Sequence, residues 1–261
     1  MRLKTIFGAI CIAAAPAALS DNHASDGPPW SVGAPLEIYG CSFKEGIDGY
    51  EQSQKFAASW NKWADDNDAF GSHVAQLMWS EFSDGQYPTE FTWLGYWDSY
   101  ASAGKDMDIR SANGDEMYAE ANKFLGNCAH SDWGAWVLVQ AGDFTNENHL
   151  TEFADCVYRE GKNDDDLYAA NVAYAEVLAD RGFTGESMGM AQLWPRAGAP
   201  AGIGNSPSFK WVIGHANFAA YSNFTDELWN KGLSRDFFRL YGDIVQCDSN
   251  RVYHSQVIRT P

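Results

Sequence analysis

Four cysteines, Cys41, Cys128, Cys156 and Cys247, stand in the body of the chain, and two of them open the same pattern. One copy reads Cys41-Ser42-Phe43-Lys44-Glu45-Gly46 and the other Cys156-Val157-Tyr158-Arg159-Glu160-Gly161. Thiols at these positions can form disulfides in an oxidising compartment or bind a soft metal. A four-cysteine metal site is disfavoured because there is no Cys-x-x-Cys pair. Four cysteines allow about three pairings. Each copy of the pattern has one cysteine near its start and one near its end, which selects Cys41–Cys128 and Cys156–Cys247. Closing loops this long stabilises a fold by roughly 4–5 kcal/mol per bridge on the chain-entropy argument.

Other side chains able to do chemistry lie inside apolar runs. Gln76 in Ala75-Gln76-Leu77 and Gln192 in Ala191-Gln192-Leu193 are buried amides that must find hydrogen-bond partners. One reading is that they orient a ligand; the other is that they bond to each other or to a nearby Trp or Tyr. Trp93 and Trp211 also match, and with Met78, Met190 and Trp194 they can wall an apolar pocket or simply fill a core. His215 stands where the first copy has Trp97, and His73 stands opposite Gly189. His215 and Tyr96 are the candidate catalytic groups, with His215 as a general base or a metal or haem ligand; a lone His also occurs as an ordinary strand-end residue. No His-x-x-x-His or Glu-x-x-His cluster supports a metal, and none is expected. The run Asn163-Asp164-Asp165-Asp166 lacks the spacing of a calcium loop and reads as a helix cap. There is no phosphate loop, Gly-x-Ser-x-Gly or dinucleotide fingerprint.

These residues need elements to hold them. Residues 36–43, 73–82, 91–97 and 133–140 read as strands, apolar on both faces and so covered on both sides. Asp48 caps a helix with Phe56, Trp60 and Trp63 on one stripe, and residues 98–125 form a helix broken at Asn113-Gly114. Loops follow at 83–88 and 195–207. The second half repeats the order: strands at 150–158, around 191–193, around 209–211 and at 251–258, and a second helix broken at Gly232. Recurrence of landmarks in one order marks an internal duplication.

Composition bounds the rest. The chain has 261 residues, 15% aromatic, with a formal net charge of -17. Such an acidic protein repels nucleic acid and anionic lipid, so neither is an expected partner. Residues 1–20 carry Arg2 and Lys4, an apolar stretch around Cys11 without a lipobox, and Ala18-Leu19-Ser20 before Asp21, the pattern of a cleaved secretory signal. No later run spans a bilayer. A periplasmic or secreted location is expected, with residues 21–35 as a flexible leader.

The order β-α-β-β-α-β is that of a ferredoxin-like unit. On these residues the chain resembles the dimeric α+β barrel superfamily, with two ferredoxin-like units, 36–145 and 146–261, fused in tandem as an intramolecular pseudo-dimer. The resemblance implies two sheets meeting face to face around an inner cavity and a monomer needing no partner subunit. The expected function is binding of a small hydrophobic or aromatic molecule within the barrel by Gln76, Gln192, Trp93, Trp211, Met78 and Trp194, without a cofactor. The alternatives are a cofactor-independent monooxygenase-like enzyme, in which Gln76 or Gln192, Tyr96 and His215 converge, and an interaction protein with a solid barrel.

An intact mass of the exported protein should match a chain starting at Asp21 with two disulfides closed. A mass matching Met1 as the first residue, or four free thiols, contradicts the signal and the bridges respectively.

Overall fold

The computed structural model describes residues 34–83, 89–141, 149–183, 185–198 and 208–261. The signal segment, nearly all of the leader, the 145/146 boundary and most of the two loops lie outside them.

The first half runs β1 (Ala34–Phe43), α1 (Gly49–Asp66), β2 (His73–Phe82), β3 (Phe91–Trp97), α2 (Tyr100–Asn113), α3 (Asp115–Phe124) and β4 (Leu125–Val139). The second runs β5 (His149–Tyr158), α4 (Asp164–Asp180), β6 (Met188–Ala197), β7 (Ser208–His215), α5 (Phe218–Asn230), α6 (Leu233–Tyr241), β8 (Val245–Cys247) and β9 (Arg251–Arg259). Local chemistry sets these bounds. The Asp48 carboxylate accepts the Glu51 N–H at the start of α1. At α4, Asn163 and Asp166 form a capping box, so the acidic run is a helix start. Gly46 and Gly161 turn the chain after β1 and β5 at φ of 77° and 75°, a conformation that glycine adopts without steric cost.

The strands form one sheet in the order β7-β6-β4-β1-β3-β2-β9-β5, and β5 pairs with β7 to close it; β8 adds a short stretch along β5. This corrects the expectation of two fused ferredoxin-like units with facing sheets. Strands from the two halves pair directly, β4 with β6 and β2 with β9, giving a single closed antiparallel barrel. The reason lies in strand length. β4 pairs with β1 through its N-terminal part, up to Ala135, and its 15 residues carry it past the end of β1, so that Asp132–Val139 meet β6. A free-standing sheet in either half would leave rows of unpaired N–H and C=O groups at its edges, and closure satisfies them.

A closed barrel has an inside and an outside. Inside, Leu36, Val74, Met78, Leu94, Tyr96, Trp133, Phe153, Leu193 and Tyr253 come from both halves and form one buried cluster. Outside, α1–α3 cover β1–β3 over Trp60, Phe70, Leu77, Trp93 and Trp97. The α4–α6 layer covers β5–β7 over Leu167, Tyr174, Trp211, Phe224 and Tyr241. Cys41 is bonded to Cys128 and Cys156 to Cys247, each pair directly opposite in the ladders of β1–β4 and β5–β8. Among the described residues no helix is long and apolar enough to cross a membrane.

Leu193 lies on β6 but is buried among first-half side chains. Leu193→Ala should cost about 2–5 kcal/mol. Denaturant unfolding should keep a single transition; two separable transitions would contradict one shared core.

Candidate ligand pocket and its polar wall

The alternation of β1 turns Glu37, Tyr39 and Cys41 outward, toward the helices. There they join Phe56 and Trp60 of α1, Phe91 and Trp93 of β3, Arg110 of α2, Met117, Tyr118, Ala121 and Asn122 of α3, and Leu125 and Cys128 of β4 around a cavity of about 170 Å³. Trp60 meets Trp93 edge-on at 4.7 Å, and Phe56 meets it at 6.1 Å. Tyr118, Asn122 and Cys128 are exposed, so these residues form the mouth. The space is the size of a small aromatic molecule and lies between barrel and helices, not inside the barrel.

One wall is charged. Arg110 donates to Glu37 Oε2 at 3.0 Å, with 11% and 4% of the two side chains exposed. His130 Nε2 donates to the same oxygen at 3.1 Å, and its ring stacks on Tyr39 at 3.8 Å. Burial pushes the Glu37 carboxyl up, but the His130 hydrogen bond and the Arg110 charge outweigh this and hold it below the ordinary value, as a carboxylate. Burial and the Glu37 charge push the Tyr39 phenol up, so it stays a neutral hydroxyl. An ionised carboxylate this buried depends on its partners, and removing one typically costs about 3–5 kcal/mol.

His73 lies behind this wall, fully buried among Trp60, Phe70 and Trp97, with neither ring nitrogen hydrogen-bonded. Gly95 makes room for it: a Cβ there would lie 2.3 Å from His73 Nε2. Burial, partly opposed by Glu37, lowers the imidazole pKa to about 3.

In the second half the corresponding position is packed with side chains. Phe91 opposes Cys41 and Phe209 opposes Cys156, so Trp93 and Trp211 are equivalent. Over Trp211 the space is occupied by Tyr241 at 4.9 Å and Phe237 at 5.6 Å. Gln192 also lies in this layer, exchanging hydrogen bonds of 2.9 and 3.1 Å with Asn171, which accepts the Tyr241 hydroxyl. His215 bonds Glu152 at 2.5 Å beneath Phe224. Trp194 stacks on Phe209.

The expected site residues are therefore not brought together. Met78 and Tyr96 face the barrel interior, and the alternation of β2 turns Gln76 the same way. Gln192, His215, Trp211 and Trp194 face the second helix layer, and Trp93 alone lines the pocket. The apparent match of Gln76 with Gln192 slips by one residue. Gln76 opposes Leu94 while Gln192 opposes Trp211, the partner position of Leu77, so the two amides point to opposite faces. By the same register, His73 corresponds to Met188 rather than Gly189. Sequence reasoning missed Glu37, Tyr39, Arg110 and His130. A signal was available: Glu37 and Glu152 each stand four residues before the first cysteine of their half, acids set in otherwise largely apolar strands. Among the described residues no three His, Cys, Asp or Glu side chains gather as a metal site.

The chain matches no family model and no curated protein. Its fold is shared with solved structures. One is a protein of Fusobacterium nucleatum provisionally named a monooxygenase: TM-score 0.56, 10% identity, covering 87% of this chain and 94% of that one. Another is a similarly named protein of Lactobacillus acidophilus: TM-score 0.53, 12% identity, 87% and 95% covered. A third is an anthrone oxidase-like protein: TM-score 0.50, 10% identity, 87% and 94% covered. The fold is of the dimeric α+β barrel type. Identities this low carry the fold alone.

His73 yields a test with a defined sign. Its folded pKa lies below the unfolded value of 6.5, so on acidification the unfolded chain takes up a proton that the folded one refuses. Stability should fall as pH drops from 6.5 toward 3, by about 2 kcal/mol between roughly pH 7 and 5. His73→Leu should remove that part of the slope. An unchanged slope in denaturant titrations would show that His73 is protonated in the native state or exposed.

Proposed function

We propose that this is a periplasmic or secreted monomer that binds a small apolar aromatic molecule between the barrel and α1–α3. The observation that carries this reading is the asymmetry of the halves. The face of Trp93 borders a cavity where the equivalent face of Trp211 is covered by Tyr241 and Phe237. Interiors close-pack by default, so an aromatic-lined opening kept in one half supports a ligand site there. The two disulfides support an oxidising compartment. The paired charges of Glu37 and Arg110 favour a ligand without net charge, because neither side chain has uncompensated charge to offer.

The polar wall supports a second reading, a cofactor-independent oxygenase; two of the structurally similar proteins are provisionally named monooxygenases. Glu37 holds His130 with Nε2 as donor, which leaves Nδ1 as the proton acceptor of a ring stacked on the pocket residue Tyr39. In this reading the reaction starts by removing an acidic proton from the bound aromatic. Oxygen uptake with a hydroxylated aromatic substrate, lost in His130→Asn while binding persists, is its expected result. Equal uptake by parent and variant removes His130 from any such role.

For the binding reading, titration with the neutral fluorescent probe N-phenyl-1-naphthylamine should show saturable binding. Ala121→Phe, which fills the pocket from α3, should weaken it at least tenfold, while Ala119→Phe, on the exposed side of α3, should not. Equal effects of the two substitutions would sink the assignment.

A further inference from the structure

The two disulfides sit in different surroundings. Cys156 is fully buried, and Cys247 packs against the second helix layer. Cys41 is equally buried, but Cys128 is exposed, and both line the ligand cavity. The bridge also occupies a mechanically significant place. α3 ends at Phe124 and β4 begins at Leu125 with no loop between them. The segment from Met117 to Cys128 is thus one continuous wall, and Cys128 ties its end to β1 on the cavity's floor. The β1–β4 register shifts immediately beyond Cys41, so the ladder is weakest where the bridge holds it. The hydrogen bonds beside it are Lys44 N–H to the Phe124 carbonyl at 2.9 Å, the Lys44 ammonium to the Asn122 carbonyl, and Asn127 N–H to Ser42 Oγ at 3.2 Å.

We infer that Cys41–Cys128 is a redox-operated clasp on the ligand pocket, opened by a dithiol reductant to release the ligand. This rests on the binding reading above. One thiolate of the dithiol attacks Sγ of Cys128, the exposed residue of the pair, and Cys41 leaves as a thiolate that takes up a proton. The second thiol of the reductant then displaces Cys128, which is protonated in turn. Two electrons and two protons end on the two cysteines, and the reductant departs as its cyclic disulfide. With the clasp open, the wall from α3 to Cys128 separates from β1 and water reaches Phe91 and Trp93. The second bridge, with Cys156 fully buried and Cys247 half-buried against the helix layer, keeps the fold together meanwhile.

The experiment titrates the oxidised protein with dithiothreitol. It follows N-phenyl-1-naphthylamine affinity, circular dichroism, and alkylation of each cysteine by peptide mass. Cys41 and Cys128 should alkylate before Cys156 and Cys247, and affinity should fall at least tenfold in step while the circular dichroism holds. The Cys41→Ala, Cys128→Ala double variant should bind as weakly as the reduced protein, and the titration of the parent stands should that variant not fold. Simultaneous opening of both bridges, or affinity unchanged after Cys41–Cys128 opens, overturns the clasp and leaves the pocket intact. Absence of probe binding by the oxidised parent overturns both.

Discussion

Closure of the sheet is the constraint on which the other features depend. Once β4 reaches β6, β9 reaches β2 and β5 meets β7, the barrel has no free edge, and each strand presents one side chain in two to an enclosed interior. That interior must be filled, and Met78, Tyr96, Trp133, Phe153 and Tyr253 fill it. The alternate side chains face outward and are apolar, so helices must cover them. Space for a ligand can then arise only where a helix layer fails to meet the sheet. It arises under α3, whose Ala121 faces the cavity, while the α6 layer packs Phe237 and Tyr241 onto Trp211.

The polar wall follows from the same geometry. Glu37 falls on the helix-covered face because its strand alternates, and a buried carboxylate has to be paired. Arg110 reaches it from α2, and His130 from the strand that β1 pairs with. Glu152 occupies the equivalent place in the second half and solves the same problem differently, with His215 and Asn250. The two acids thus stand at equivalent places but draw their histidines from different strands, β4 for Glu37 and β7 for Glu152, and Glu37 lines the cavity.

Much of the architecture was legible because alternation and capping are local. The bounds of β2 and β3, the helix breaks at Gly114 and Gly232, and the inward and outward faces of both strands all follow from side-chain periodicity and turn chemistry. Barrel closure was not legible, since β4 meets β6 through Asp132–Val139, a stretch that reads as a strand, and side-chain periodicity marks a strand without naming its partner. The site was largely illegible for a related reason. A sequence match such as Ala-Gln-Leu is blind to a shift of one residue, and in a strand that shift exchanges faces. Arg110 and His130 meet Glu37 across 73 and 93 residues, which no local pattern encodes.

The cavity proposed to take the ligand lies between the barrel and α1–α3, and buried side chains from both halves occupy the barrel. Diffraction from crystals soaked in iodobenzene tests it most directly, through the anomalous signal of iodine. A peak is expected beside Trp93, bounded by Phe56 and Ala121. A peak within the barrel, among Met78, Phe153 and Tyr253, would contradict it.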